Sequence, residues 1–348
     1  MKTLSKSVMA LMAAFGILWT AQAAPADKKA PAPKATATLK GKIKIALIVE
    51  STVDDKGWCQ SMHDAIVAVQ KEYGVAKVEY SHSEKMKPVD AGSAARQYAS
   101  KGFDIIICHG AQYKNLVDEM AGQFPKVTFA YGTSANIGGK NVFTYMPFSE
   151  ETGYLNGLIA GMVTKSNKIG NVGPVDGGDS ARYTRGFALG VKEGNAKAEV
   201  LLAYTGSFSD FVKAGELAQT QLKAGADVLT GSSQQAIGAL RKVNEATATT
   251  YWLGQDLSHL TINGGAKVLA ACGYNYSSAV EQLIAKSQNG ELGGESLPLK
   301  FSNGGFTYEF NAKISPKVLT PAIKKAVEKA KADLTSGKLK LDLKAAKL

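Results

Sequence analysis

Histidine and cysteine are scarce in this chain, and their scarcity excludes a good deal. There are four histidines and three cysteines in 348 residues. His63, His82, His109 and His259 lie far apart, with no spacing that would hold a metal, so neither a metal nor a cofactor is expected. No Gly-x-Ser-x-Gly elbow is present, and no nucleophile stands beside a base. Gly173-Pro174-Val175-Asp176-Gly177-Gly178 is glycine-rich, but it fits neither dinucleotide-binding nor P-loop spacing and reads as a tight loop. Catalytic chemistry therefore has no visible carrier. Cys59, Cys108 and Cys272 leave at least one thiol unpaired. A Cys59–Cys108 bridge is the alternative to the expected buried free thiols.

Long apolar runs are also missing, apart from one short run near the start. Lys2 and Lys6 precede an apolar stretch at 8–19, and Ala21-Gln22-Ala23 is a small-x-small cleavage site. This pattern reads as a secretory signal peptide over 1–23 and places the mature protein outside the cytoplasm. Residues 24–40 are mostly Ala, Pro, Lys and Thr and read as a flexible tether. The net charge is +11, much of it on tether lysines and on Lys324, Lys325, Lys329, Lys331, Lys338, Lys340, Lys344 and Lys347. No nucleic-acid-binding motif accompanies these lysines, so they read as a solvated face and no nucleic-acid partner is expected.

What is present is an alternation of strand and helix, used twice. Strands are predicted at 42–49, 78–81, 104–108, 126–131 and 141–146, with helices at 57–73, 90–101 and 112–124 between them. The alternation restarts near Phe148. Helices follow at 150–164, 179–193, 210–223 and 235–246, with strands at 168–172, 199–204, 227–229 and 250–253. Such spacing indicates parallel βαβ units. A short echo supports the duplication: Gly102-Phe103-Asp104-Ile105-Ile106-Ile107 returns as Gly225-Ala226-Asp227-Val228-Leu229-Thr230. Each copy follows an amphipathic helix and turns into a buried strand, so both aspartates read as structural.

The fold class expected is α/β, with two doubly wound parallel-sheet lobes and a cleft between them. Ligands bind such sheets beyond the carboxyl ends of the strands. In the first lobe that edge carries Asp54, Asp55, Trp58, Gly110 and Tyr113. In the second it carries Phe208, Ser209, Asp210, Ser232, Ser233, Gln234 and Asp256. Trp58, Tyr113 and Phe208 are flat rings in loops at that edge, which suits a flat ligand. Phe148 and Tyr145 flank the crossover and read equally as cleft lining or as core. Asp256 reads equally as a ligand acceptor or a helix cap, whereas Asp210 reads as an N-cap.

These residues resemble the basic membrane protein family of ABC-transporter substrate-binding proteins, which includes purine nucleoside receptors and a branch adapted to purine bases. The resemblance runs from about Lys42 to Phe310. Asp55-Lys56-Gly57-Trp58 through His63-Asp64 is similar to its first ligand loop, and Gly110-Ala111-Gln112-Tyr113 to its second. Phe148-Ser149-Glu150-Glu151-Thr152-Gly153-Tyr154-Leu155-Asn156-Gly157 is the most specific match. Ser207-Phe208-Ser209-Asp210 and Gly254-Gln255-Asp256 follow. Phe208 stands where the base-binding branch more often has tryptophan, and Ala271-Cys272-Gly273-Tyr274-Asn275-Tyr276 is atypical.

The resemblance implies a type I periplasmic binding-protein fold, with three segments crossing between lobes near Tyr145–Phe148, Gly273–Ser277 and Phe301–Phe306. The lobes would be 41–146 with about 276–302, and 147–275 with about 303–335, ahead of a basic tail at 336–348. It implies a monomeric periplasmic receptor, without a lipid-anchoring cysteine, that passes a small flat solute to an inner-membrane ABC permease. A purine base or nucleoside is the expected solute, and Trp58, Tyr113, Phe148, Phe208 and Asp256 are the expected ligand residues. Two alternatives are a secreted nucleoside-processing enzyme and a ligand sensor for a membrane signalling partner.

Overall fold

The computed structural model describes residues 39–136 and 138–348. The expected signal peptide and nearly all of the expected tether lie outside the described residues. Among these, no helix is long and apolar enough to cross a membrane.

Twelve strands and nine α-helices alternate through the described chain. The first series is β1 (Ile43–Ile48), α1 (Trp58–Tyr73), β2 (Val78–Ser83), α2 (Pro88–Ser100), β3 (Ile105–Cys108), α3 (Lys114–Gln123), β4 (Thr128–Gly132) and β5 (Val142–Pro147). The second is α4 (Glu150–Val163), β6 (Lys168–Gly173), α5 (Gly178–Gly194), β7 (Glu199–Tyr204), α6 (Phe211–Lys223), β8 (Val228–Gly231), α7 (Ala236–Glu245), β9 (Tyr251–Gly254) and β10 (Val268–Tyr274). The chain closes with α8 (Ser277–Gln288), β11 (Glu295–Leu299), β12 (Phe306–Phe310) and α9 (Pro321–Thr335).

The strands form two six-stranded sheets, ordered β11-β5-β4-β3-β1-β2 and β12-β10-β9-β8-β6-β7. Five strands in each sheet follow the same order, so one topology is used twice. The chain passes between sheets three times: from β5 to α4, from β10 to α8, and from β11 to β12. All pairings are parallel except β10 with β12. The exception has a simple cause. The chain leaves the end of β11 and enters the second sheet at the corresponding end, so β12 must run back against its neighbour.

Residue choice makes these sheets two-sided. Ile45, Leu47, Ile105 and Ile107 pack into the core layer shared with α1 and α8, while Ala46, Ile48, Ile106 and Cys108 pack with α2 and α3. All eight are fully buried. Each buried Ile or Leu contributes about 1.5–3 kcal/mol. β-branched residues in an unbroken apolar run are what a strand covered on both faces requires.

The echoed aspartates occupy equivalent places. Asp104 N–H donates to Lys44 O at 3.0 Å, and Asp227 N–H donates to Lys168 O at 3.2 Å. Their carbonyls accept from Thr128 and Tyr251, both at 2.9 Å. The Asp104 carboxylate takes Lys44 N–H at 2.7 Å, and the Asp227 carboxylate takes Lys165 N–H at 2.6 Å and Ser166 N–H at 2.9 Å. Gly102 and Gly225 precede them with φ of 71° and 95°, closing the preceding helix in a conformation that favours glycine. Both aspartates are structural, as expected. The three cysteines are buried free thiols, also as expected. Cys59 lies in the first turn of α1.

Helices α4 and α5 pack backbone against backbone. A Cβ on Gly157 would stand 2.0 Å from Phe187 O, and one on Gly190 would stand 2.1 Å from Tyr154 O. Gly153 and Gly186 are equally tight against Tyr183 O and Glu150 O. The glycines recur every fourth residue, so they line one face of each helix. Gly157→Ala is expected to lower stability by about 1–3 kcal/mol, because neither backbone can give way. A chemical-denaturation midpoint unchanged from wild type would refute that packing.

Candidate ligand-binding cleft

Each loop of the cleft follows the carboxyl end of a strand. After β1 come Glu50 and a loop whose Asp55 carboxylate accepts from Gly57 N–H at 3.0 Å, Gln60 N–H at 3.1 Å and Cys59 N–H at 3.3 Å. Asp55 thus fixes the start of α1 and the position of Trp58, and burial raises its carboxyl pKa. After β3 come His109, Gly110 and Gln112, the last donating to Glu50 at 2.8 Å. Thr133 follows β4 and accepts from Ala111 N–H at 3.2 Å.

In the second lobe, β6 leads into the glycine loop and α5, β7 leads to Phe208, and β8 leads to Ser233 and Gln234. These loops meet around a cavity of about 240 Å³. It is lined from one side by Glu50, Trp58, Cys59, His109, Gly110, Ala111, Gln112 and Thr133, and from the other by Val175, Gly177, Gly178, Asp179, Phe208, Ser233 and Gln234. The lobes are closed on it. Ser258 Oγ donates to Lys56 O at 2.7 Å. A Cβ on Gly57 would lie 3.3 Å from Gln234 Cα, and one on Gly178 would lie 3.5 Å from Thr133 Cβ.

The five residues expected from the sequence do not all meet there. Trp58 and Phe208 line the cavity, and Phe208 is 37% exposed at it. Tyr113 does not line it. Its ring is fully buried in the first lobe, and its hydroxyl donates to Met86 O. The short 3-10 turn Ala111–Tyr113 carries the ring away from the cleft and into the layer with α2 and α3.

Phe148 also lies elsewhere. The Arg182 guanidinium sits 4.3 Å and the Lys300 ammonium 4.1 Å from its ring centre, beside a separate cavity bordered by Glu150, Glu151 and the C-terminal segment. Asp256 caps the short helix Leu257–Leu260 through Ser258 N–H at 2.8 Å. It lines a second cavity of about 490 Å³, with Asp64, Tyr274 and Tyr276. A gap of about 10 Å³ shares Trp58 and Ser233 with the first cavity and Asp256 with the second. Asp210 caps α6, as expected.

Trp58 is a wall of the cavity rather than an open plate. His109 stacks on it with ring centres 4.4 Å apart and an angle of 11°. Tyr274 and Tyr276 meet it edge to face at 5.3 and 5.7 Å. The indole N–H donates to His109 O at 3.3 Å. His109 Nε2 lies 3.0 Å from Trp58 O, which can only accept, so Nε2 carries the proton. Nδ1 then accepts from the Tyr145 hydroxyl at 2.6 Å. Burial of the ring pushes the pKa of His109 down to about 3, outweighing the Trp58 O contact, which favours the protonated form.

Sequence reading passed over His109, Glu50, Thr133 and Asp179 as cleft residues. A usable signal existed for Asp179, which follows two glycines between a strand end and a helix start. Its carboxyl is buried and accepts from the Tyr274 hydroxyl at 3.1 Å. Burial raises its pKa to about 6, and does the same for Asp256. Among the described residues, none lining the first cavity is Lys or Arg. No group of three or more potential metal ligands occurs among them either.

Twin lobes of one topology, three crossings and a cleft at the carboxyl strand ends define a two-lobed solute-binding protein of the type I periplasmic class. The chain belongs to the Bmp family, described as ABC transporter substrate-binding protein, PnrA-like, whose model matches residues 42–334. It is 25% identical over 319 residues to the ABC transporter nucleoside-binding protein BmpA of Lactococcus lactis, covering 86% of this chain and 89% of that one. It is 27% identical to a putative ABC transporter glucose-binding protein of Haloferax volcanii, covering 60% of this chain and 52% of that one. A solute-binding protein of an ABC transporter system from Aeropyrum pernix shares the fold, with a TM-score of 0.74 at 19% identity, covering 86% of this chain and 93% of that one.

His109 should remain neutral through the ordinary pH range. Imidazole nitrogen shifts recorded between about pH 8 and pH 5 should show one fixed Nε2–H tautomer. A midpoint near the ordinary histidine value of about 6.5 would contradict the buried network.

Proposed function

We propose that this protein captures a small, flat, uncharged solute, a purine base or nucleoside, outside the cytoplasm and hands it to a membrane ABC permease. The observation that carries the reading is the character of the closed cavity. It is walled by the rings of Trp58 and Phe208, lined with amide, hydroxyl and carboxylate groups, and without lysine or arginine among the described lining residues. A flat heterocycle with its own donors suits such a site, because ring contact buries area at little entropic cost and edge donors meet fixed acceptors. The Lactococcus relative named as nucleoside-binding is consistent with this.

The lobes correspond on this reading to 41–146 with about 276–302, and 147–275 with about 303–335. Closure needs no chemistry. A solute that touches both walls binds the shut form better than the open one and shifts the balance by that difference in affinity. A nucleoside-processing enzyme is disfavoured, because both nitrogens of His109, the one histidine lining the cavity among the described residues, are already engaged.

A thermal-shift screen against purine bases, nucleosides, hexoses and amino acids tests the proposal. Purines should raise the melting temperature by mass action, and hexoses should not. A shift with glucose alone would instead favour the solute named for the Haloferax relative. Phe208→Ala should weaken purine binding about tenfold or more while leaving the unliganded melting temperature near wild type, since the ring is part-exposed. Undiminished affinity in that variant would remove Phe208 from the site.

A further inference from the structure

Asp179 is an expensive residue to keep where it is. It is 6% exposed; the Tyr274 hydroxyl donates to its carboxylate at 3.1 Å, and the Ser149 hydroxyl and the backbone N–H groups of Asp179 and Ser180 also favour its charged form. No cation answers it. Arg182, three residues on along α5, is engaged with Glu150 through Nε at 2.6 Å, and Arg185 is engaged with Asp176 at 2.7 Å. A buried carboxylate without a cation costs stability, and such groups persist where a function uses them.

Its position suits a ligand acceptor. Asp179 lies in the first turn of a helix of 17 residues, where negative charge is favoured. Gly177 and Gly178 precede it and line the same cavity without side chains to obstruct it. Glu50 stands in the same lining, so two acids border the space and, among the described residues, neither lysine nor arginine does.

We propose that Asp179 reads the bound solute, its carboxylate accepting a ring or amino N–H of an uncharged nitrogen heterocycle and thereby excluding carboxylate and phosphate solutes. This rests on the purine reading above and names the group that gives it chemical selectivity. Bases with an unsubstituted N–H bind. Their N-methylated analogues at the contacted position, and nucleotides, do not, because an unmet buried carboxylate or two repelling anions cost far more than a lost contact.

Capture then depends on pH in a definite direction. The phenols of Tyr274 and Tyr276 come from the second crossing, Ser149 from the first, and Glu50 stands among the other cavity-lining residues; none of these supplies a positive charge. The Asp179 carboxyl is lifted to about 6 by burial. Above that pH it is ionised and accepts; below it the carboxyl is protonated and the acceptor is lost.

The test is calorimetric titration of the whole protein with hypoxanthine, guanine and adenine at about pH 8 and pH 5. Wild type should bind at least one base at pH 8, and about tenfold more weakly at pH 5, as protonation of one carboxyl with a pKa of about 6 requires. Asp179→Asn should weaken binding at pH 8 tenfold or more and show little pH dependence. Asp256→Asn is the necessary comparison, because that carboxyl is also raised to about 6. It should keep the pH dependence of wild type.

Failure of wild type to bind any of the three bases, together with no thermal shift from any purine nucleoside, overturns the purine reading itself. Binding by wild type with Asp179→Asn equally tight, or with the pH dependence lost in Asp256→Asn and kept in Asp179→Asn, overturns the role of Asp179 alone. The unliganded Asp179→Asn variant should melt no lower than wild type at pH 8, since it removes a buried charge. Should it fail to fold, Asp179→Ser and the wild-type and Asp256→Asn pH profiles decide the matter.

Discussion

The site depends on the contact between α4 and α5. Glycines every fourth residue let the two helices touch backbone to backbone, with Gly157 against Phe187 O and Gly190 against Tyr154 O. Few packings are so intolerant of displacement, because main-chain atoms cannot rotate out of the way. Helix α4 begins just after the first crossing, and α5 begins inside the cleft. Locking one helix to the other therefore ties Asp179, at the head of α5, to the chain that joins the lobes. The Glu150–Arg182 pair, side chains of the same two helices, reinforces the tie at that end.

The other wall is held by aromatic contacts. Trp58 is pinned by His109 on one face and by Tyr274 and Tyr276 at its edges, and His109 is pinned in turn by Tyr145. The two tyrosines come from the second crossing, so the wall of the cavity and part of the hinge are one packed unit. Neutral His109 makes this possible, because a charged imidazole could not accept from Tyr145 while donating to Trp58 O. The cavity that results has carboxylates but no cation among its described lining residues. A lining of that charge disfavours anions.

Much of the architecture was legible in the residues. The apolar runs at Ile105–Cys108 and Val228–Gly231 mark strands covered on both faces, and the glycine-aspartate turns before them mark equivalent positions in two copies of one unit. The first crossing falls where the alternation restarts near Phe148, and the other two where the family resemblance implied them. The site was legible only in part. Trp58 and Phe208 were placed at the cavity, and Asp210 as a cap. Tyr113, Phe148 and Asp256 were placed near the right strand ends but not in the first cavity. A strand end tells where a loop starts; a single turn of 3-10 helix then decides whether a ring faces solvent or core.

Sequence by itself determined the periodic features up to β9: which of those segments are strands, which are helices, and that one α/β unit occurs twice. These follow from side-chain spacing along a single element and need no knowledge of neighbours. Tertiary structure decided which polar groups share the cavity. Glu50, His109 and Asp179 come from three different strand ends, and their nearness depends on strand order, on lobe closure and on how closely α4 and α5 can approach. The charge state of Asp179 was decided there as well, because desolvation is set by everything that surrounds a carboxyl and not by the residues beside it in the chain.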